Sequence, residues 1–212
     1  MLRFVHFAKK YQTRLVLAVD ALEIPGGVNW LKGENGSGKT SLFKSIAGIL
    51  PFDGDITLNG VSIKETPVTF RKLVNYSEAE PVFPEFLTAR DLVRFVGETK
   101  ASSRIQQDRY CQQLGVNQYF MKPCGTYSSG MLKKLSLVLA FLGDPKLIIL
   151  DEPLVTLDES SRAILMRLIV EKLKDPEMTF FLSSHQPLEP SQLPVQNIYK
   201  IHRQSIEREH PS

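Results

Sequence analysis

The chain has 212 residues, of which 42% are hydrophobic and 23% charged. That length and balance fit one domain with a sizeable core and exclude disordered, collagen-like and low-complexity classes. The 26 basic residues exceed the 23 acidic ones by only +3 and are scattered, so no nucleic-acid partner is expected. Cys111 and Cys124 lack CxxC spacing, which suggests neither a disulfide framework nor a zinc site and fits reduced thiols in a cytosolic protein. The first ten residues lack the apolar core of a secretory signal, and the longest apolar run, near Leu135 to Leu142, is far shorter than the roughly 20 residues that cross a bilayer. Any membrane role is therefore expected to come through a partner. No internal repeat and no Gly-, Ser- or Pro-rich linker divides the sequence, so residues 1–212 are expected to form one domain.

Up to about Tyr76, short alternating runs such as Leu15–Val19 and Asp55–Leu58 read as strands and hairpins, punctuated by turns at Pro25-Gly26-Gly27, Asp53-Gly54 and Asn59-Gly60. One helix interrupts them from about Thr40 to Ile49, with Leu42, Phe43, Ile46 and Ala47 on one stripe. The pattern then turns helical, with helices near 89–96, 103–114 and 130–142, and this block of roughly 77–142 reads as an inserted helical subdomain. Lys146–Leu150 and Met178–Ser183 are continuous apolar runs of the kind a doubly buried strand requires, and a helix from Glu159 to Lys174 separates them. Strand, helix, strand at this spacing predicts a βαβ unit and a parallel sheet. The tail beyond Pro187 shows little regular pattern.

Residues 33–40 read Gly33-Glu34-Asn35-Gly36-Ser37-Gly38-Lys39-Thr40, a full match to G-x-x-x-x-G-K-[ST] between a predicted strand and a predicted helix. Such a loop lets the N–H groups of residues 35–41, Ser41 included, converge on phosphate oxygens at the positive end of a helix dipole. Lys39 would neutralise charge on the β- and γ-phosphates, and the Thr40 hydroxyl would hold Mg²⁺. The loop predicts a nucleoside triphosphate site without choosing among kinases, GTPases and ATPases. The apolar strand ending in Asp151-Glu152 narrows that choice, because it delivers paired carboxylates to the crevice where ligands of parallel sheets bind. Asp151 would position Mg²⁺, and Glu152 would polarise the water that attacks the γ-phosphate.

With these two constellations the chain resembles the ATP-binding-cassette (ABC) ATPases over roughly residues 1 to 186. The resemblance implies a P-loop α/β fold with a parallel sheet, an N-terminal antiparallel β-subdomain and the inserted helical subdomain. The family's L-S-G-G-Q signature has a partial counterpart in Tyr127-Ser128-Ser129-Gly130-Met131, where Ser129 replaces a glycine and Met131 a polar residue. In the family this segment closes over ATP held by the opposite subunit, which implies a homodimer or a pair with a paralogous cassette. On its own, the same stretch reads as a loop and helix cap. Asp158, in Val155-Thr156-Leu157-Asp158, is similar to the carboxylate of the loop that crosses the dimer interface. His185, after Phe180–Ser184, is similar to the switch histidine on the γ-phosphate, although a histidine after a strand is also a common structural residue. Tyr11 is similar to the aromatic that stacks on adenine, and equally fits a surface tyrosine at a strand end.

One departure stands out: where the family carries a metal-binding glutamine, the sequence reads Ser77-Glu78-Ala79-Glu80, with Ala79 at the glutamine position and Glu78 or Glu80 as alternative oxygen donors. The resemblance implies ATP and Mg²⁺ as cofactors, separate transmembrane permease subunits as partners, and a cytoplasmic location on the inner face of a membrane. A permease helix is expected in the groove near 77–95, where Glu78, Glu80 and Glu85 call for basic residues on it. The rival readings are a soluble cassette ATPase in cofactor assembly or similar work, and a weakly hydrolysing regulatory subunit.

Overall fold

The computed structural model describes residues 1–184 and 193–209. In chain order it contains β1 (Leu2–Tyr11), β2 (Arg14–Ile24), β3 (Gly27–Lys32), α1 (Lys39–Ile46), β4 (Asp53–Leu58), β5 (Val61–Ser62), α2 (Pro67–Leu73) and β6 (Val74–Ser77). There follow α3 (Ala89–Thr99), α4 (Arg104–Gln113), α5 (Ser129–Phe141), β7 (Leu147–Leu150), α6 (Glu159–Lys172), β8 (Thr179–Ser183), β9 (Val195–His202) and β10 (Ser205–Glu209). The strands build two sheets, a four-stranded antiparallel one in the order β2-β1-β4-β5 and a six-stranded one in the order β10-β9-β3-β8-β7-β6. All neighbours in the second sheet are parallel except β10, which folds back on β9.

Side-chain alternation splits the core into two layers, because successive residues of a strand face opposite ways. Ile148, Leu150, Phe180 and Leu182 pack on one face of the parallel sheet with Val93 of α3, Tyr110 of α4, Phe141 of α5 and Leu165 of α6. Leu147, Ile149 and Phe181 pack on the other face with Leu42, Phe43 and Ile46 of α1 and with the antiparallel sheet through Phe4, Leu17 and Ile56. That double burial is why both strands read as unbroken apolar runs. A buried amide fastens β6 to the end of α5: Asn75 Nδ2 donates to the carbonyls of Ala140 and Leu142, each at 2.8 Å.

Two local expectations are corrected. Asp53-Gly54 is no turn but the start of β4, where β1 changes register between Val5 and Ala8. A Cβ on Gly54 (φ 83°) would sit 2.1 Å from the His6 carbonyl oxygen, so the glycine serves a bulge. The patternless tail likewise contains β9 and β10, joined by Arg203 and Gln204, both at positive φ. The Asn59-Gly60 turn is present between β4 and β5, with both residues at positive φ as a two-residue hairpin requires.

Parallel pairing brings the carboxyl ends of β3, β7 and β8 side by side. β3 runs into the glycine loop, β7 into Asp151-Glu152, and β8 ends at Ser183. Three segments distant in sequence therefore share one crevice, the place where open α/β sheets hold ligands.

Candidate nucleotide-binding site

The loop from Gly33 to Gly38 turns β3 into α1, and Gly38 caps the helix with φ 108°. An added Cβ there would lie 2.9 Å from Val16 Cγ1, so the antiparallel sheet presses on the loop where it becomes helix. Lys39 curls back over the loop, donating to the carbonyls of Gly33 at 2.6 Å and Glu34 at 3.1 Å. Burial lowers its pKa, while Glu152 and Asp151 act in the opposite sense. The Ser37 hydroxyl oxygen is buried in this loop with no hydrogen-bond partner. An orphaned buried hydroxyl in a loop overhung by the Lys39 ammonium fits an oxyanion guest.

Across the crevice, Thr40 Oγ1 donates to Asp151 Oδ2 at 2.7 Å, Ser183 Oγ donates to Asp151 Oδ1 at 2.5 Å, and Tyr76 OH reaches Asp151 Oδ2 at 3.4 Å. Asp151 is 1% exposed and Glu152 8%. Burial, followed by the charge of Asp151, pushes the Tyr76 phenol far above its usual range, so it stays a neutral donor. The Glu152 backbone is left-handed (φ 45°), and its N–H donates to Ser183 Oγ at 3.0 Å. A non-glycine residue held at positive φ costs about 1–3 kcal/mol and marks a constrained position.

The residues from Glu34 to Ser41, together with Tyr11, Ala79, Asp151 and Glu152, line one cleft of about 960 Å³. Tyr11 is half-exposed, its hydroxyl 3.2 Å from Ser41 Oγ and its ring 4.5 Å from the Lys9 ammonium. Gly33 lies at the root of the loop, where a Cβ would meet Ser37 Oγ at 2.6 Å. Neither Glu78 nor Glu80 lines the cleft; Glu78 instead pairs with Lys44 at 3.0 Å, so the alternative oxygen donors offered by the sequence face elsewhere. Sequence reasoning missed Arg14 at the start of β2, Lys200 near the end of β9 and Arg203 in the β9–β10 turn, which also line the cleft. The residues carry no motif; only the parallel pairing of β9 with β3 brings the β9–β10 turn to the loop. It also missed Lys133 of α5, whose enclosed ammonium donates to the carbonyls of Glu78, Ala79 and Asp151.

Ser128, Ser129 and Gly130 stand apart from this cleft. Ser128 caps α5, its hydroxyl accepting from the Met131 N–H at 3.3 Å, and Ser128 and Ser129 are exposed. Gly130 touches the segment after β7, where a Cβ would meet the Thr156 carbonyl at 2.9 Å. Asp158 caps α6 through the Ser161 N–H at 2.8 Å and pairs with Lys134 of α5 at 2.7 Å, and the Lys134 hydrogen bond holds its carboxyl well below the usual range. His185 lies outside the described residues.

The family model described as "ABC transporter" matches residues 22–155, well over half of the chain. The chain belongs to the ABC transporter family. The phospholipid-transporting ATPase ABCA7 of Homo sapiens is 32% identical over 188 residues, which are 85% of this chain but 9% of that protein. The chain thus spans under a tenth of such relatives. The cytochrome c biogenesis ATP-binding export protein CcmA of Legionella pneumophila is 32% identical over 190 residues, 89% of this chain and 94% of its own length. Among solved structures, an ATP-binding subunit of an ABC transporter superposes with a TM-score of 0.88 at 24% identity, covering 98% of this chain and 89% of its own. A dimeric ATP-binding cassette in a post-hydrolysis state with ADP and Pi superposes with a TM-score of 0.83 at 18% identity, covering 99% and 98%.

As an ABC ATPase, the chain has the P-loop α/β fold expected of it. Its cleft also fits the family's nucleotide on its own evidence, through the partnerless Ser37 hydroxyl and the buried Lys39. Thr40 Oγ1 and Asp151 Oδ2 supply adjoining hard oxygen donors of the sort Mg²⁺ takes alongside nucleotide phosphates. No group of three or more His, Cys, Asp or Glu side chains suited to a metal occurs among the described residues. No described helix is long and apolar enough to cross a membrane.

Proposed function

We propose that this chain is the ATP-binding and hydrolysing subunit of an ABC transporter, driving transport through separate membrane subunits by ATP-dependent head-to-tail dimerisation. The observation that carries the reading is the convergence of Lys39, Thr40, Asp151 and Glu152 on one cleft. In this reading the loop N–H groups and Lys39 hold the β- and γ-phosphates, and Tyr11 lies beside the base. Thr40 and Asp151 hold Mg²⁺, which offsets phosphate charge when bound. Glu152 orients the attacking water and accepts its proton, and His185 steadies the transferred phosphoryl group.

Ser128 to Gly130 stand outside their own cleft, at the exposed start of α5. That position favours an anion site serving the nucleotide of a second cassette, with Asp158 beside the interface. Membrane spans on other polypeptides are favoured by the near-full-length match to CcmA, named as an ATP-binding export protein. The name of CcmA favours an exporting assembly, and that of ABCA7 a transporting one. A groove of about 230 Å³ lined by Ile49, Tyr76, Glu78, Pro81, Val82 and Phe83 offers the membrane subunit a seat. With Glu78 already paired to Lys44 and Val82 and Phe86 strongly exposed, the occupant of that seat needs apolar residues more than the basic ones the sequence suggested.

Glu152→Gln is the deciding experiment. It should bind ATP, lose about 10²- to 10⁴-fold in turnover and accumulate as a closed dimer by size-exclusion chromatography. Undiminished phosphate release would remove Glu152 from the mechanism. A second reading, a weakly hydrolysing regulatory subunit, is favoured by Ala79, which lines the cleft without an oxygen-bearing side chain. Steady-state phosphate release by the unmodified chain separates the two.

A further inference from the structure

Lys133 sits near the start of α5 with no exposed surface. Its ammonium donates to the carbonyls of Glu78 at 2.6 Å, Asp151 at 2.8 Å and Ala79 at 3.3 Å. An ammonium has three protons and no acceptor, so its capacity is filled by backbone alone. Removing a cation from water is costly, and among the described residues Lys133 pairs directly with no carboxylate, so Asp151, Glu152 and Glu78 offset that cost only from farther away. An apolar side chain of the same length would fill the same space, so packing does not account for the charge.

The Asp151–Glu152 peptide is gripped on both edges. Its carbonyl accepts from Lys133, and its N–H donates to Ser183 Oγ, which in turn donates to the Asp151 carboxylate. Glu152 is thereby kept at φ 45°, a conformation that residues other than glycine seldom adopt. Rotating this peptide by half a turn would relax φ but aim its N–H at the Lys133 ammonium, donor against donor. The cation therefore selects one of the two peptide orientations.

We propose that Lys133 is a positioning residue for ATP hydrolysis: it fixes the Asp151–Glu152 peptide so that Glu152 faces the cleft, and it ties that peptide to the 78–79 loop and to the helix whose first turn holds Ser129 and Gly130. The inference rests on the reading of Glu152 as the residue that orients water. A shift of the α5 start reaches Glu152 through a single side chain.

Lys133→Met keeps the length and removes the charge. Single-turnover and steady-state assays should show kcat reduced by about 10²-fold, as for a misplaced catalytic group, with ATP affinity by titration within about threefold. Combined with Ser183→Ala, which releases the other edge of the peptide, the loss should be far less than the product of the two single losses. Crystals of the nucleotide-free Lys133→Met chain should show Glu152 outside the left-handed region. Unchanged kcat, a parallel fall in kcat and affinity, or Glu152 still near φ 45° would overturn the proposal. If Lys133→Met does not fold, Lys133→Arg decides. It should keep turnover within about tenfold of the unmodified chain, with Glu152 near φ 45° in its crystals. A loss comparable to that of Glu152→Gln, with the peptide unmoved, would overturn the proposal. Glu152→Gln run in parallel separates the failures: full turnover there sinks the functional reading, whereas its inactivity beside an active Lys133→Met sinks only the role of Lys133.

Discussion

Gly38→Ala would separate the conformational demand of the phosphate loop from its chemistry, since it alters no polar group. Gly38 has φ 108° and ψ 6°, outside the ordinary basins of an L-residue. Forcing alanine into it costs about 1–3 kcal/mol. The new methyl would also meet Val16 Cγ1 at 2.9 Å, and moving that side chain adds about 1 kcal/mol. If the free loop relaxes, the strain falls on ATP binding, and the combined penalty of about 2–4 kcal/mol weakens affinity by about 30- to 700-fold. If the loop stays put, the penalty appears in the free chain as a lower Tm, by about 2–4 °C per kcal/mol for a domain of this size. Calorimetric titration with ATP and thermal unfolding of the free chain read the two shares, and Val16→Ala added to Gly38→Ala should recover only the part due to the methyl contact. Affinity within twofold together with an unchanged Tm would refute the reasoning, because the strain would then have gone nowhere.

Asn75→Ala removes two 2.8 Å bonds to the carbonyls of Ala140 and Leu142. It also deletes the partnerless Asn75 Oδ1, so urea unfolding should report a net loss of about 2 kcal/mol, and a change below about 0.5 kcal/mol would contradict the role given to this amide. Lys100 donates to the carbonyls of Arg71 and Val74, and burial lowers its pKa to about 8 from 10.5. The unfolded chain binds the proton more tightly, so this group's penalty is fully present below pH 8 and is lifted as pH rises to 10.5. Unfolding free energy measured from pH 7.5 to 9 should therefore climb more steeply with pH for the unmodified chain than for Lys100→Met; equal slopes would argue against the shift.

The parts of the site legible in the sequence were those whose chemistry fixes both residue type and spacing. Gly33 to Thr40 is one such stretch, and the apolar strand ending in Asp151-Glu152 is another, because each bends or buries the chain in a way few other sequences allow. The helices near 89–96 and 130–142 were legible for a simpler reason, since their apolar positions and the caps at Thr88 and Ser128 agree, whereas the polar helix near 103–114 is marked by its Ser103 cap. β9 escaped because one of its inward positions is polar. Asn197 faces the core between Val195 and Tyr199 and is satisfied by Asn29 Oδ1 at 2.9 Å, which breaks the alternation a strand shows in sequence. The turn after it escaped because Arg203 and Gln204 take positive φ without the glycine or asparagine that normally announces such a turn. Lys133 was invisible for the opposite reason: its partners are main-chain carbonyls, which carry no residue identity.

The β9–β10 hairpin bears on what a shortened version of the chain would do. β3, which leads into the glycine loop, lies between β8 and β9, and Ala18 of β2 donates its N–H to the Gln204 carbonyl at 2.8 Å. A truncation before Val195 would turn β3 into a border strand with a bare row of peptide groups, an invitation to pair with other molecules. It would also cut a tether between the two sheets. Deleting this hairpin, remote in sequence from every motif, should thus produce a sticky, poorly soluble chain.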